Sequence, residues 1–481
     1  MAVQQLLENL RLRTSLHPPL TPLGLEGTHN RSFPRPTLSQ LAETWREVQG
    51  ADDWKGMLEP LNDHLRAELI RYGELAQVSY DSFDYDKHSK FCGSCRYSPD
   101  SLFEEVDLHH TGYTVTWYIY ATANVRVWSF LRRSEREDAW SKKSNWIGYV
   151  AVCTDEKEIN RLGRRDILVV WRGTVTGLEW AANAQYFLVP CAFIDGGNDN
   201  ESTPKVEAGF LSLYTSADDS SRFNKISARE YAVKEIVRLI EEYKDDGHEL
   251  SITICGHSLG SGLGLLFAYD VANSKLNQIS QERTIPITVF SFGGPRVGDG
   301  VFKQRVEDLG IKVLRVVNKG DIVPHVPGTH LLESFKSAYH HLGVEFLLDD
   351  QQSLHLNQSK GRHFSVENLI ELSLERQLSA FAVHHNLEVY LHLIDGYGRY
   401  DKPPTRDPVL VNKGCGFLKE NKYVPECWWQ VENKGLRYCE YQNRYFQPER
   451  AYKDRPVPPE QEVVDASKAL SKSLSLHNSK S

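Results

Sequence analysis

Residues 250–269 run for twenty positions without a formal charge, and this stretch narrows the fold more than any other. Its length would suffice to cross a bilayer. Its texture argues otherwise: β-branched residues crowd only the first part, while Ser251, Thr253, His257, Ser258, Ser261 and four glycines are spread through it. A buried strand over 250–255 that turns into a small-residue helix after Ser258 accounts for both halves. No transmembrane helix is expected.

At the junction stands Gly256-His257-Ser258-Leu259-Gly260, a G-x-S-x-G pattern. Three fixed positions in five arise readily by chance, and a glycine-rich turn with a surface serine would read the same way. A strand before the motif and a helix after it are what a nucleophile elbow requires. Its turn is so sharp that a Cβ on either flanking glycine would strike the neighbouring strand or helix. The serine hydroxyl is pushed clear of the sheet at the positive end of a helix. Gly262 and Gly264 would let that helix sit close on the sheet. A serine hydroxyl needs a base to attack at neutral pH, and in this fold the chain order is serine, acid, histidine.

The surrounding pattern supplies the sheet. Leu61, Leu65, Leu69 and Tyr72 recur at spacings of three and four and predict a helix over 61–78. β-Rich runs follow at 113–121, 147–153 and 167–171, with others at 287–292 and 312–317. Ser227 and Glu230 form a capping box opening a helix whose Ala232, Ile236, Leu239 and Tyr243 share a face. Alternating helical and strand periods predict an α/β class with a mostly parallel central sheet flanked by helices.

Composition limits partners more than fold. A formal net charge of −8 leaves no chain-wide basic field for nucleic acid. Eight cysteines without a signal-peptide apolar core do not make a disulfide scaffold, which points to a reducing compartment. Residues 1–40 hold Arg11, Arg13, Arg31 and Arg35 but no Lys or Asp, and Val3, Leu6, Leu7 and Leu10 have helical spacing. That reads as an organelle transit peptide, with a flexible terminus as the alternative. Residues 41–110 are expected as a helical extension packed on the core, 401–455 as a loop-rich extension and 456–481 as a disordered tail.

Five blocks occur in order: 169–174 (V-V-W-R-G-T), 206–211 (V-E-A-G-F-L), the elbow, 292–298 (F-G-G-P-R-V-G) and 316–324 (V-V-N-K-G-D-I-V-P). Together they resemble the class 3, fungal-type lipase family. Upstream, 54–58 (W-K-G-M-L), 71–74 (R-Y-G-E) and 91–96 (F-C-G-S-C-R) resemble its plant phospholipase A1 branch, the class I organelle members in particular. The resemblance covers roughly residues 40–455. It implies an α/β-hydrolase fold over 111–400 with a lid segment.

Carried over by position, the resemblance makes Ser258 the nucleophile, Asp321 the acid and His385 the base. Asp299 is the rival acid, for which a helix-capping role suffices. Several histidines follow Asp321. His385 is chosen because 385–392 (H-N-L-E-V-Y-L-H) resembles the family's H-D-L-E-x-Y-L-H block, with Asn386 replacing the usual Asp. His384 is the alternative should the block slip by one. The oxyanion hole is expected from the Leu259 backbone N–H and from Thr174. The implied reaction is ester hydrolysis: Ser258 attacks the acyl carbonyl, His385 takes its proton, Asp321 steadies the imidazolium, and water opens the acyl-enzyme.

The implied substrate is the sn-1 acyl ester of a glycerolipid at a membrane or lipid-droplet surface, with phospholipase A1 as the first reading. Galactolipase and acylglycerol lipase share the same site chemistry. A catalytically silent, lipase-like interaction protein and a small-ester hydrolase compete from other classes; the intact serine, acid and histidine set argues against the silent one. No cofactor or metal is called for: Cys92-x-x-Cys95 is half of a zinc spacing without a second pair and reads as a structural turn. Leu178, Trp180, Tyr186, Phe187, Leu188 and Val189, followed by a Gly/Asn/Asp-rich stretch, make 175–206 read as a lid, the alternative being a helix fixed on the core. The organelle resemblance places the chain in the chloroplast, with mitochondrion or cytoplasm as alternatives.

Overall fold

The computed structural model describes residues 38–122, 134–174, 187–191, 201–327, 338–357, 383–399, 403–413, 415, 417–419, 437–439, 444–446 and 450–478. The elements run α1 (Leu38–Val48), α2 (Asp63–Asp81), α3 (Leu102–Glu105), β1 (Tyr113–Ala121), β2 (Asn145–Cys153), α4 (Glu156–Leu162) and β3 (Arg165–Trp171). Next come β4 (Leu188–Pro190), β5 (Lys205–Glu207), α5 (Ala208–Thr215), α6 (Ala228–Tyr243), β6 (Leu250–His257), α7 (Leu259–Asn273) and β7 (Ile287–Phe292). The last are α8 (Gly300–Asp308), β8 (Lys312–Asn318), β9 (Val344–Leu348), α9 (Leu387–Gly396), β10 (Arg437–Cys439), β11 (Arg444–Phe446) and α10 (Gln461–Asn478).

Seven strands form the central sheet in the order β1-β2-β3-β6-β7-β8-β9. From β3 to β9 every neighbour is parallel. β2 and β1 continue the sheet antiparallel at one edge. The mostly parallel sheet predicted from the alternating periods is therefore present, with one strand, β9, that the sequence reading did not mark. β3, β6 and β7 are buried at every residue because helices cover both faces. Tyr72 of α2 stacks on Phe290 with ring centroids 5.1 Å apart, and its hydroxyl meets Asp166 on the same face. α7 lies on the other face, where Phe267 packs on Trp171. The capping box at Ser227 and Glu230 is formed as predicted.

Two elements differ from expectation. α2 begins one residue after the cap Asn62, and it is buried on all sides from Leu65 to Ser79 rather than along one stripe. Its charged residues are accommodated by partners. Arg71 meets Glu158 at 2.7 Å, Arg161 meets Glu68 at 3.1 Å, and Arg66 Nη1 donates to the Ile394 carbonyl at 2.6 Å. Arg406 joins Glu74 of α2 to Glu388 of α9, so the two helices are tied by a buried charge triad. A buried charge is tolerated only when paired in this way.

The C-terminal segment expected to be disordered is instead helical as α10. Average composition hid a spacing of three: Val464 and Ser467 are buried, and Leu470 packs against the core. Lys234 of α6 donates to the Val463 carbonyl at 3.2 Å. The transit-peptide reading of 1–40 lies outside the described residues but for 38–40, as do 175–186 and 192–200 of the lid reading. Of that segment, β4 and β5 pair with each other, and Phe187 is half exposed. Among the described residues no helix is long and apolar enough to cross a membrane.

Candidate active site

The elbow is where β6 stops and α7 starts. Ser258 has φ 60° and ψ −131°, a left-handed conformation that a residue with a Cβ adopts only under strain. The close packing around it requires the two flanking glycines. A Cβ on Gly256 would fall 2.5 Å from the Gly260 carbonyl, and one on Gly260 would fall 2.1 Å from the Trp171 oxygen. The Ser258 N–H donates to the Phe292 carbonyl at 3.0 Å, which pins the turn to β7. Its Oγ is buried and has no hydrogen-bond partner.

Asp321 lies in the turn after β8, at the C-terminal edge of the sheet. Its Oδ1 accepts from the Val323 N–H at 2.9 Å, starting the single 3-10 turn Val323–His325. Its Oδ2 accepts from His385 Nδ1 at 2.6 Å and from the Tyr390 hydroxyl at 2.5 Å. A carboxylate only accepts, so this contact fixes the proton of the imidazole on Nδ1 and leaves Nε2 as the free base. His385 Nε2 is buried without a partner.

His385 precedes Asn386, whose side chain caps α9 by accepting from the Glu388 N–H at 2.9 Å. Asparagine caps as well as the aspartate usual at this position. His384 points elsewhere. Its Nδ1 is 3.5 Å from Asp350, and its carbonyl accepts from Asn318 Nδ2 at 3.0 Å. His385, not His384, therefore meets Asp321. Asp299 is the cap of α8, accepting from the Phe302 N–H at 2.8 Å.

The imidazole of His385 lies 4.5 Å from that of His257, with the planes tilted by 33°. This places it against the residue before the nucleophile. No hydrogen bond joins Ser258 Oγ to His385 Nε2. Burial, then the neighbouring His385, pushes the His257 pKa well below its ordinary value, so that ring stays neutral. Its Nδ1 is 2.7 Å from the Tyr80 hydroxyl.

The end of β3 meets the elbow from the other side. A Cβ on Gly173 would lie 3.0 Å from Ser258 Cβ, so Thr174 follows directly at the nucleophile's flank. Thr174 Oγ1 is buried and unpaired. The Leu259 N–H is the first of α7 and has no carbonyl to meet inside the helix. Arg172 holds this turn, with Nη1 donating to the Gly173 carbonyl at 2.8 Å and Nε to the Trp146 carbonyl at 3.0 Å. Burial lowers its pKa to about 10.

Three polar side-chain atoms from separate segments, Ser258 Oγ, His385 Nε2 and Thr174 Oγ1, are thus buried without partners beside the elbow. Each orphan costs about 1–3 kcal/mol. Sequence reasoning did not single out Tyr390, Tyr80 or Arg172. Tyr390 stood inside the quoted 385–392 block and Arg172 inside the 169–174 block; Tyr80 gave no local signal. Cys92 and Cys95 are buried and unbridged, and Cys255 is fully buried beside the elbow.

Residues 168–331 match the family model described as Lipase (class 3). Phospholipase A1-Igamma3, chloroplastic, of Arabidopsis thaliana is 47% identical over 420 residues, covering 82% of this chain and 75% of its own length. Galactolipase DONGLE, chloroplastic, of the same plant is 41% identical over 368 residues, covering 74% and 70%. Triacylglyceride lipase of Rhizomucor miehei, a solved structure, is 19% identical with a TM-score of 0.40, covering 68% of this chain and 97% of its own. With a mostly parallel sheet, an elbow at the end of β6 and relatives of this identity over most of both lengths, the chain belongs to the class 3 lipase family, in its plant phospholipase A1 branch.

Proposed function

We propose that the chain is a phospholipase A1: a serine acylhydrolase that removes the sn-1 acyl group of a glycerophospholipid as free fatty acid, leaving a lysophospholipid. The reading rests on one observation above all. His385 is locked to Asp321 at 2.6 Å with its other nitrogen unpaired, and its ring lies 4.5 Å from that of His257, the neighbour of Ser258, whose Oγ is likewise buried and unpaired.

In the first half-reaction Ser258 Oγ attacks the acyl carbonyl while His385 Nε2 takes its proton. The proton then passes to the departing glycerol oxygen. The oxyanion would be received by the Leu259 N–H and Thr174. Water, deprotonated by the same imidazole, releases the fatty acid from Ser258. Asp321 keeps the Nδ1 tautomer and stabilises the imidazolium without taking the proton. The described residues need no cofactor for any of these steps.

Ser258→Ala should abolish acyl release from phospholipid vesicles while the melting temperature stays within a few degrees. Full activity in that variant would refute the mechanism. Labelling by a fluorophosphonate probe separates the enzyme from a silent, lipase-like binding protein, since only an activated serine reacts. A galactolipid substrate is the second reading, supported by the 41% identical relative named a galactolipase. We place the protein in the chloroplast, as relatives are named.

A further inference from the structure

Among the described residues the imidazole of His385 makes one hydrogen bond, to Asp321, and its place follows from the start of α9, which Asn386 caps. That helix is held in turn by the extension that comes after it in the chain. Arg406 is buried; its Nε donates to Glu74 of α2 at 2.7 Å and its Nη2 to Glu388, in the first turn of α9, at 2.7 Å. The backbone N–H groups of Thr405 and Arg406 donate to Asp395 Oδ2 at 2.7 Å and 2.8 Å, and the Thr405 hydroxyl donates to Asp395 Oδ1. Farther along the extension, the rings of Phe417 and His384 meet edge to face with centroids 5.7 Å apart.

Glu388 and Asp395 stand one heptad apart and differ by only about 20° around the helix, so residues 405–406 run along a single face of α9. Tyr390 comes two positions after Glu388, about 200° around. It faces the other way, with its hydroxyl on Asp321 at 2.5 Å. The extension therefore backs α9 on the side turned from the acid. α2 is close as well: a Cβ on Gly73 would fall 2.2 Å from Leu391 Cδ2, and Arg66 Nη1 donates to the Ile394 and Asp395 carbonyls at 2.6 Å and 3.2 Å. Glu74 and Glu388 are both buried and would repel each other without the guanidinium between them. That repulsion would part α9 from α2 at the helix end where His385 stands.

We infer that Arg406 is a positioning residue for the base: acting through Glu388, it holds α9, and with it His385 Nε2, at the elbow beside Ser258. The inference rests on the acylhydrolase reading above and deepens it. Arg406 touches neither substrate nor reacting atoms. Its effect is geometric, and a misplacement of about 1 Å at a proton-transfer group can cost roughly a hundredfold in rate. A second arginine of the same extension supplies the contrast. Arg450 donates to Ser94 Oγ at 2.8 Å, to the Cys95 carbonyl at 2.6 Å and to Asp84 at 3.2 Å, and its guanidinium lies 4.5 Å from the centre of the Phe91 ring. It ties the extension to the 84–96 loop, and among the described residues it bonds to nothing in α9.

The test measures kcat and KM on phosphatidylcholine in uncharged detergent micelles, scaled to the folded fraction from unfolding curves. Arg406→Gln should lower kcat about tenfold or more with KM within about twofold. It should slow fluorophosphonate labelling of Ser258 by a similar factor, because that reaction needs the base but no lipid. Arg406→Lys keeps the charge and should recover part of both rates. Arg450→Gln should lose stability yet keep kcat per folded molecule within about twofold. An Arg406→Gln protein that melts earlier with kcat intact, or an Arg450→Gln protein that loses as much kcat, would overturn the assignment and leave Arg406 as a structural ion pair. If Arg406→Gln does not fold, Glu388→Gln decides, since it keeps the side chain's shape and leaves Arg406 paired with Glu74. It should lower kcat severalfold at constant KM, and an unchanged kcat would refute the inference. Wild-type protein inert toward both lipid and probe would sink the acylhydrolase reading together with this one, whereas an active wild type matched by its Arg406 variants sinks this one alone.

Discussion

Two aspartates, both fully enclosed, sit at opposite ends of the parallel strands. Asp166 starts β3 at the N-terminal edge. Its carboxylate accepts from four hydroxyls: Tyr72 at 3.0 Å, Tyr113 at 2.5 Å, Ser251 at 2.6 Å and Thr253 at 2.6 Å. Asp321, past the end of β8, accepts from one backbone N–H, one phenol and one imidazole. Burial and carboxylate chemistry are alike, yet only one is placed to act. Every donor on Asp166 ends in a closed network, since Arg164 in turn holds Tyr72 and Ser251. The imidazole on Asp321 has a second nitrogen with nothing bound to it. In the proposed mechanism, what separates a working carboxylate from a structural one is that open end, not the acid itself.

The largest expected effect breaks the pair apart with one substitution made twice. Asp321→Asn should lower kcat/KM by about ten-thousandfold, because an amide no longer fixes the imidazole tautomer. Its unfolding free energy should fall by about 1.5 kcal/mol, the cost of its one charge-assisted bond to a phenol. Asp166→Asn should do the reverse. Losing charge-assisted bonds to two phenols costs about 3 kcal/mol of unfolding free energy, while activity per folded molecule stays within twofold. Urea unfolding and initial rates on both variants check this. Similar losses of activity in the two would show that the distinction drawn here is false.

How legible was this contrast in the amino-acid order? The elbow was legible because Gly256 and Gly260 mark close approaches that only glycine permits, and such approaches leave a local signature. Asp321 followed from its block. His385 over His384 came from the 385–392 block, and only the folded chain shows that His385 meets Asp321 while His384 lies 3.5 Å from Asp350. Tyr80 reaches His257 across 177 positions, and Asp166 collects donors from α2, β1 and β6. No spacing rule anticipates such partners, because the sheet, not the chain, brings them together. α2 is buried beyond its one predicted stripe for a related reason: its arginines and glutamates pair within the core.

A third carboxyl sharpens the comparison by having few donors. Glu207 caps α5, accepting from the Phe210 N–H at 2.7 Å, and burial pushes its pKa from the ordinary 4.5 up to about 7. The native state then holds a proton that the unfolded chain has lost between those two values. Stability should accordingly fall as pH rises from about 4.5 to about 7 and level off above. Glu207→Gln keeps an acceptor for Phe210 and cannot ionise, so its stability gain over the wild type should grow across that window. The gap between the two pKa values caps the gain at roughly 3 kcal/mol. Melting curves at pH 5 and pH 8 measure it. A gain that is the same at both would mean that Glu207 is as well solvated by donors as the two aspartates.

The smallest effect concerns how the proposed catalytic aspartate shares its charge. Tyr390 and His385 donate to the same Oδ2, so the phenol competes with the imidazole for one oxygen. Burial, and then Asp321 itself, hold the Tyr390 pKa well above its ordinary value, so it remains a donor throughout the working range. Tyr390→Phe keeps the ring that packs 6.1 Å from His257 and removes only the hydroxyl. Loss of one hydrogen bond to a charged group, about 1.5 kcal/mol, predicts a drop in kcat of roughly tenfold with KM unchanged. A purely structural hydroxyl would cost stability and leave kcat per folded molecule unchanged. Such a result would place Tyr390 with the closed network around Asp166 and leave His385 as the one donor through which Asp321 acts.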